Sequence, residues 1–176
     1  METMERKNNT RILFVGLYRE TNLGDEILFH CAEKLFVKYY GSPVSSAYAY
    51  LDFVEKTFKP SFIRRVINKI QVVLLGRAFL FGYDKILSKR RKKYFYEVLK
   101  DVDMAVVVGG GIIKFKVQYF YEGLNALFEG CDIYHIPAVL SAVGVEGYDA
   151  KDEKCIALKK LIHSHVLKYI STRDDY

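Results

Sequence analysis

The sequence has little cysteine, no tryptophan and no long hydrophobic run. Cys31, Cys131 and Cys155 are odd in number and share no ligand spacing, which argues against a disulfide framework and a cysteine metal site. The longest apolar stretch, 70–81, is interrupted by polar residues and is too short to span a bilayer. The polar first ten residues do not fit a secretory signal. We therefore expect a cytoplasmic protein with reduced thiols.

The composition is that of an ordinary globular protein. Of the 176 residues, 51% are hydrophobic and 27% are charged, which excludes a disordered tail, a collagen and a coiled coil. The length suits one domain with one core. The 14 tyrosines and 12 phenylalanines predict a core rich in aromatic rings. No internal repeat or low-complexity linker divides the chain.

Buried-strand patterns alternate with helical patterns along the chain. Strands are predicted at 11–18, 44–51, 103–108, 135–143 and 169–171, and helices at 25–40, 85–100, 119–128 and 152–165. This alternation predicts an α/β fold, a parallel sheet with helices on both faces in a Rossmann-like layout. We expect a polar tail at 1–10 and the Rossmann-like domain at 11–176, with a basic helical insertion at about 60–100. The apolar face of the first helix is predicted to consist of Ile27, Leu28, Cys31, Leu35 and Phe36.

The net charge of +6 is unevenly placed. Residues 1–100 carry 19 basic and 10 acidic side chains, or +9, whereas residues 101–176 carry 8 and 11, or −3. Between Lys59 and Lys93 there are 11 basic residues and the single acid Asp84. Such a segment can attract an anionic membrane face or a phosphate-rich partner, although a solvated helix face is the alternative. We expect no nucleic-acid partner.

The turn between the first strand and the first helix is the first candidate site. Its residues include Asn22, Gly24, Asp25 and Glu26. Ligands of open α/β sheets bind at the carboxyl ends of strands, and a helix start offers free N–H groups to an anion. The alternative is a purely structural role in helix capping, with Asn22 as the N-cap and Asp25, at the third helical position, as its partner in a variant of the capping box. The turn matches neither a dinucleotide fingerprint nor a P-loop.

Three glycines, Gly109, Gly110 and Gly111, directly follow the buried strand 103–108 and form the second candidate. Backbone without side chains suits a sugar or phosphate lying against the strand tip, and the alternative is a tight turn under a closely packed helix. Lys114 and Lys116 follow, either as added positive charge or as exposed loop residues.

Two further strand ends carry polar residues. Ser141, Gly144 and Glu146 approach the end of the strand at 135–143, whereas His135 at its start is interpreted as structural. Arg173, in the turn 171–175, can hold a carboxylate or phosphate in bidentate fashion, or form a surface pair with an aspartate. The histidines form no metal-ligand pair, so we expect no metal site. We also expect no resident cofactor.

Together, in this order and spacing, these pieces resemble the polysaccharide pyruvyl transferase family. The matching pieces are NLGDE at 22–26, DMAVVVGGG at 103–111, PAVLSAVGVEGYD at 137–149 and STRDD at 171–175. The triple glycine alone is unspecific. The NLGDE turn combined with the later arginine–aspartate turn is moderately specific.

The resemblance implies a transferase that moves the enolpyruvyl part of phosphoenolpyruvate onto two hydroxyls of a sugar, forming a pyruvate ketal. Acceptors in that family are cell-surface glycans, often lipid-linked at the inner face of the membrane. The family's arrangement is of the two-domain glycosyltransferase-B type. By resemblance, substrate-binding positions here are Asn22, Gly24, Asp25, Glu26, Gly109, Gly110, Gly111, Gly144 and Arg173. Asp25 and Arg173 are also the candidates for catalytic groups.

This chain is about half the length of a usual family member, so we expect the C-terminal domain to be absent or supplied by another chain. A helix would normally follow the polar turn at 173–175, and self-association is a further expectation. Two alternatives stay open. One is a glycosyltransferase-B-type half domain that uses a nucleotide sugar, and the other is a non-catalytic module that binds a glycan or a partner.

Overall fold

A computed structural model of the chain describes residues 9–17, 23–40, 43–57, 63, 66–67, 81–115 and 120–173. Within these residues strands and helices alternate. The strands are β1 (Thr10–Gly16), β2 (Val44–Tyr50), β3 (Met104–Val108), β4 (Ile113–Lys114), β5 (Ala138–Val143), β6 (Val145–Glu146) and β7 (Leu167–Thr172). The helices are α1 (Leu23–Tyr39), α2 (Phe53–Thr57), α3 (Phe81–Leu99), α4 (Tyr121–Ile133) and α5 (Glu153–Ile162).

Five of the strands form a parallel sheet in the order β2-β1-β3-β5-β7. After β1 the chain turns to one side to form β2, and it then crosses to the other side of β1 to form β3. Such a reversal is the switch point at which open α/β sheets bind ligands, beyond the carboxyl ends of the strands. The predicted Rossmann-like α/β fold is confirmed, and its switch point lies between β1 and β3.

Alternating side chains of each strand enter two separate cores. On one face Leu13, Val15 and Val107 pack with apolar residues of α3, α4 and α5. On the other face Ile12 and Phe14 pack with residues of α1 and β3. Because both faces of the central strands are buried, their sequences are continuous apolar runs, as in other parallel sheets.

The packing face of α1 differs from the prediction. The buried residues of the helix are Phe29 and Ala32, whereas Ile27 and Leu35 are 53% and 56% exposed. The reason lies in the sheet, because the Phe29 ring occupies the space that a side chain at Gly16 would fill, 2.8 Å from an ideal Cβ there. With Phe29 packed against Gly16, α1 turns toward the sheet a different face from the one that its apolar spacing predicts.

Several element boundaries also differ. The pair β4–β6, a two-stranded parallel sheet, was not predicted. His135 lies in a turn with φ of 55°, three residues before β5, and not in the strand itself. The helix expected at 119–128 extends to Ile133. Asn22 and most of residues 60–80, the first part of the predicted basic helical insertion, lie outside the described residues.

In the described part of the chain, none of the helices combines the length and the apolarity needed to cross a bilayer. Cys131 and Cys155 are buried and Cys31 is exposed, and all three are free thiols. Burial raises the pKa of the Cys131 thiol to about 12, so this thiol remains protonated at physiological pH.

The close approach of α4 to Leu51, the residue after β2, depends on Gly123. An ideal Cβ there would lie 2.6 Å from the backbone oxygen of Leu51, which cannot rotate away. We expect Gly123→Ala to lower the free energy of unfolding by about 1–3 kcal/mol through overpacking, although alanine is the better helix former. Chemical denaturation measures this, with Lys34→Ala on exposed α1 as the control. An unchanged or raised stability would contradict the close contact.

The packing of α3 on α4 includes a charged contact. Lys92 Nζ lies 2.7 Å from Glu129 Oε1, which also accepts a hydrogen bond of 2.9 Å from the Tyr96 hydroxyl. The hydrogen bond from Lys92, with that from Tyr96, holds the pKa of Glu129 below its ordinary value. A carboxyl group whose pKa is lowered by folding stabilises the folded protein at any pH above its ordinary, unfolded-state pKa. This stability is lost as the pH falls through the folded-state pKa.

We therefore expect Glu129→Gln to be less stable than the wild type at pH 7 because it loses the charged contact. The difference should shrink as the pH falls below about 4.5, where the wild-type carboxyl also becomes protonated. Denaturation curves at pH 7, 5 and 3.5 measure it, with the exposed Glu153→Gln as the control. A difference independent of pH would show that the charge of Glu129 contributes nothing.

Candidate functional site

The glycine turn after β3 lies at the centre of the carboxyl edge of the sheet. Gly109 and Gly110 have φ of 62° and 69°, a left-handed backbone that side chains rarely adopt. Gly109 N donates to the oxygen of Ser141 at 2.9 Å, and Gly144 N donates to the oxygen of Gly110 at 2.8 Å. The turn is thus fastened on one side to the end of β5, and both glycines are buried.

On its other side the turn lies against the first turns of α1. An ideal Cβ at Gly110 would lie 3.0 Å from Asp25 Oδ1 and 3.2 Å from Leu17 Cδ1. At Gly109 it would lie 3.1 Å from Leu28 Cβ. The structure therefore places the carboxylate of Asp25 and the side chain of Leu17 next to Gly110, where a side chain at that position would crowd both.

A lysine–glutamate pair lies beside the third glycine. Lys114 on β4 and Glu146 on β6 are register partners, and Lys114 Nζ lies 2.7 Å from Glu146 Oε1. The end of the Lys114 side chain occupies the position of a side chain at Gly111, with Cε 2.5 Å from an ideal Cβ. The pair thus lies over the glycine turn on the side of β5.

The end of β5 carries an irregularity that shapes this edge. Ala142 has φ of 54°, and the pairing of β5 with β7 shifts register between Leu140 and Val143. A left-handed backbone at a residue other than glycine costs about 1–2 kcal/mol. The bend brings Ser141 O and Gly144 N to the glycine turn, and Val143 O accepts a hydrogen bond of 3.0 Å from Arg173 N.

The remaining predicted site residues take different positions. Gly24 and Glu26 are exposed in the first turn of α1. Arg173 is exposed at the end of β7, on the same edge of the sheet, but β7 lies two strand spacings from β3, about 10 Å. Gly144 is buried and acts through its backbone. Asn22 and Lys116 lie outside the described residues.

The charges of this edge favour one class of ligand. Among the described residues, the carboxylates of Asp25 and Glu146 lie beside the glycine turn, and the Lys114 ammonium next to Glu146 is paired with it. Carboxylates accept hydrogen bonds from hydroxyl groups but repel a phosphate, so the arrangement suits a polyhydroxylated ligand more than a bare polyanion. In the described residues no group of three or more histidine, cysteine or acidic side chains is arranged to hold a metal.

Sequence reasoning noted Lys114 and Glu146 separately but missed their pairing. Strands of two residues show no periodicity, so neither β4 nor β6 gave a signal. The bend at Ala142 gave none either, because alanine is not typical of a left-handed position.

Neither a protein-family model nor a curated protein matches the chain. Among solved structures, an azoreductase from Bacillus anthracis str. Sterne is similar to it with a TM-score of 0.42. The two chains share 11% sequence identity, and the match covers 93% of this chain and 85% of that chain. At this identity and score the similarity carries no inference about activity.

The contact between Asp25 and Gly110 is testable by a double-mutant cycle. We expect Gly110→Ala to lower the free energy of unfolding by about 1–3 kcal/mol, through left-handed strain and crowding of the carboxylate. The double variant with Asp25→Ala should lose less stability than the two single variants together. The difference should be about 0.5 kcal/mol or more, because removing the carboxylate relieves the crowding. Chemical denaturation of the four proteins measures this coupling.

Gly109→Ala is the matched control, because it introduces the same left-handed strain but meets Leu28 and not Asp25. Its cycle with Asp25→Ala should be additive. Equal coupling in both cycles would contradict a specific contact between Asp25 and Gly110.

Proposed function

We propose that this chain forms the Rossmann-like N-terminal domain of a polysaccharide pyruvyl transferase. One observation carries the proposal: Asp25, in the NLGDE turn, lies on Gly110, in the triple glycine, at the switch point of the sheet. These two pieces of the resemblance are far apart in sequence. Their meeting at the edge where α/β sheets bind ligands supports a shared role in one site.

The proposed reaction converts phosphoenolpyruvate and two sugar hydroxyls into a pyruvate ketal and inorganic phosphate. A proton is added to the methylene carbon of phosphoenolpyruvate, and the oxygens of the two hydroxyls form bonds to its second carbon. The bond from that carbon to the phosphate oxygen breaks. Both hydroxyl protons are released, one to replace the proton taken up by the methylene and one to the phosphate. The chemistry needs a general acid, groups that hold the hydroxyls, and cations for the phosphate and carboxylate.

Of the groups that the reaction needs, the described site supplies those that would hold the acceptor sugar. Asp25 accepts a hydrogen bond from an acceptor hydroxyl, and the glycine backbone allows the sugar ring to approach closely. Among the described residues at the turn, the Lys114 ammonium is already paired with Glu146, so the phosphate needs further cations. Arg173 is a candidate on the same edge, and the resemblance implies further cations from a C-terminal domain.

The proposal includes the family's setting at the membrane. The acceptor sugar is attached to a lipid carrier, and the basic segment 60–93 contacts the anionic inner face of the membrane. Neutralising residues 90–93 should then weaken binding to anionic vesicles. Unchanged binding would remove the membrane contact from the proposal but leave the transfer reaction untouched.

The role of Asp25 leads to a kinetic expectation. Asp25→Asn keeps the size of the side chain but removes the charge that strengthens the hydrogen bond to the acceptor. With the C-terminal domain present, we expect it to lower kcat/KM for phosphate release from phosphoenolpyruvate by about 10- to 100-fold. Stability should change little, because asparagine caps a helix about as well as aspartate does. A phosphate-release assay with a panel of methyl hexosides measures this, and Glu153→Gln is the control.

A binding measurement separates the acceptor role from catalysis. The same glycosides should shift the amide resonances of Gly109, Gly110 and Gly111 in the wild type and less so in Asp25→Asn. If neither phosphate release nor these shifts occur with the wild type, the proposal fails. Hydrolysis of a nucleotide sugar, with no reaction of phosphoenolpyruvate, would favour the nucleotide-sugar transferase instead.

A further inference from the structure

A groove lies between α2 and α3, away from the glycine turn. Its volume is about 580 Å³, within the range of small-molecule sites. Its apolar lining comes from Phe53 and Val54 on α2 and from Tyr94 and Val98 on α3. Nothing in the proposed transfer reaction uses this groove.

The aromatic part of the groove is held in a fixed position. The rings of Phe53 and Tyr94 stack with centroids 4.9 Å apart at an angle of 17°. The Tyr94 hydroxyl accepts a hydrogen bond of 3.0 Å from the backbone N–H of Tyr50, at the end of β2. Burial raises the pKa of Tyr94, so its phenol is neutral at physiological pH. The groove therefore offers a preformed apolar surface.

Cationic side chains line the same groove. Arg90 and Lys93 lie on one face of α3, three residues apart, and both are exposed. The acid that shares this face, Glu97, pairs with Lys100 at 2.8 Å. That contact, with a smaller effect of Lys93, holds the pKa of Glu97 below its ordinary value. Of the described residues that line the groove, two are cationic and one is acidic.

An apolar surface beside two cations complements a molecule with an apolar body and an anionic end. The apolar part of the wall is aromatic and branched aliphatic, and the polar lining residues are Thr57, Arg90, Lys93 and Glu97. We propose that the groove between α2 and α3 binds one phosphate-bearing lipid chain, with its apolar end on Phe53 and Tyr94 and its phosphate at Arg90 and Lys93. This site is a pocket for a single lipid molecule, as distinct from a charged surface that lies on a membrane.

Calorimetric titration of the full chain tests the proposal, with farnesyl phosphate below its micelle concentration as the probe. We expect saturable binding at one site. Farnesol, which lacks the phosphate, should bind about tenfold more weakly, and inorganic phosphate alone should not saturate the chain. Equal binding of farnesol and farnesyl phosphate would overturn the assignment of the two cations.

Two charge-matched double variants sharpen the test. Arg90→Gln with Lys93→Gln should weaken binding of farnesyl phosphate about tenfold. Lys85→Gln with Lys89→Gln removes the same charge from exposed positions of the same helix and should change it by less than about twofold. Equal losses in both pairs, or binding to anionic vesicles without binding of the monomeric lipid, would show an unspecific basic surface and overturn the proposal.

A variant of the apolar wall completes the design. Phe53→Ala removes the ring that stacks on Tyr94 and should weaken farnesyl phosphate and farnesol by the same factor. Circular dichroism on heating checks that the variant is folded, and Val98→Ala provides a second, smaller truncation of the wall if it is not. Unchanged affinity in a folded variant of either kind would contradict binding in the groove. Phosphate release from phosphoenolpyruvate plays no part in these measurements, so failure here leaves the transfer proposal standing.

Discussion

The pairing of β1 with β3 is the interaction on which the rest of the structure depends. Four residues of β1, from Ile12 to Val15, lie in parallel register with residues 104–107 of β3. Their side chains supply both cores, and the register brings Gly16 and Gly109 to the same edge of the sheet. The contact of Asp25 with the glycine turn depends on this register, because a parallel sheet aligns the carboxyl ends of its strands.

At that edge, the absence of side chains is as important as their presence. The Phe29 ring, the Asp25 carboxylate and the end of Lys114 each occupy the place of a missing side chain, at Gly16, Gly110 and Gly111 respectively. Helix α1 and the short strand β4 can therefore approach the sheet closely. The result is a surface of glycine backbone with the carboxylates of Asp25 and Glu146 beside it, which could accept hydrogen bonds from a ring that carries hydroxyl groups.

The central strands could be predicted from the sequence because burial on both faces leaves long apolar runs in β1 and β3. The buried face of α1 could not be predicted, because apolar residues lie nearly all round the helix. The space left at Gly16 is filled by the Phe29 ring, and this contact decides which face is buried. The glycine turn and Asp25 were found separately by their positions at strand and helix ends. Their contact depends on strand order, which single-sequence periodicity does not encode. The pair Lys114–Glu146 escaped because its strands are two residues long.

The central pairing also leads to an expectation about the order of folding. Arg11 and Asp103 are joined by a hydrogen bond across a separation of 92 residues, whereas β1 meets β2 after a much shorter loop. Closing the longer loop costs more entropy and slows the step that closes it. A unit of β1, α1 and β2 can thus form before β3 arrives, with Asp25 facing water and no glycine turn beneath it. We therefore expect the carboxyl edge of the sheet to be completed late in folding, so changes that delay the docking of β3 should delay the assembly of the candidate site.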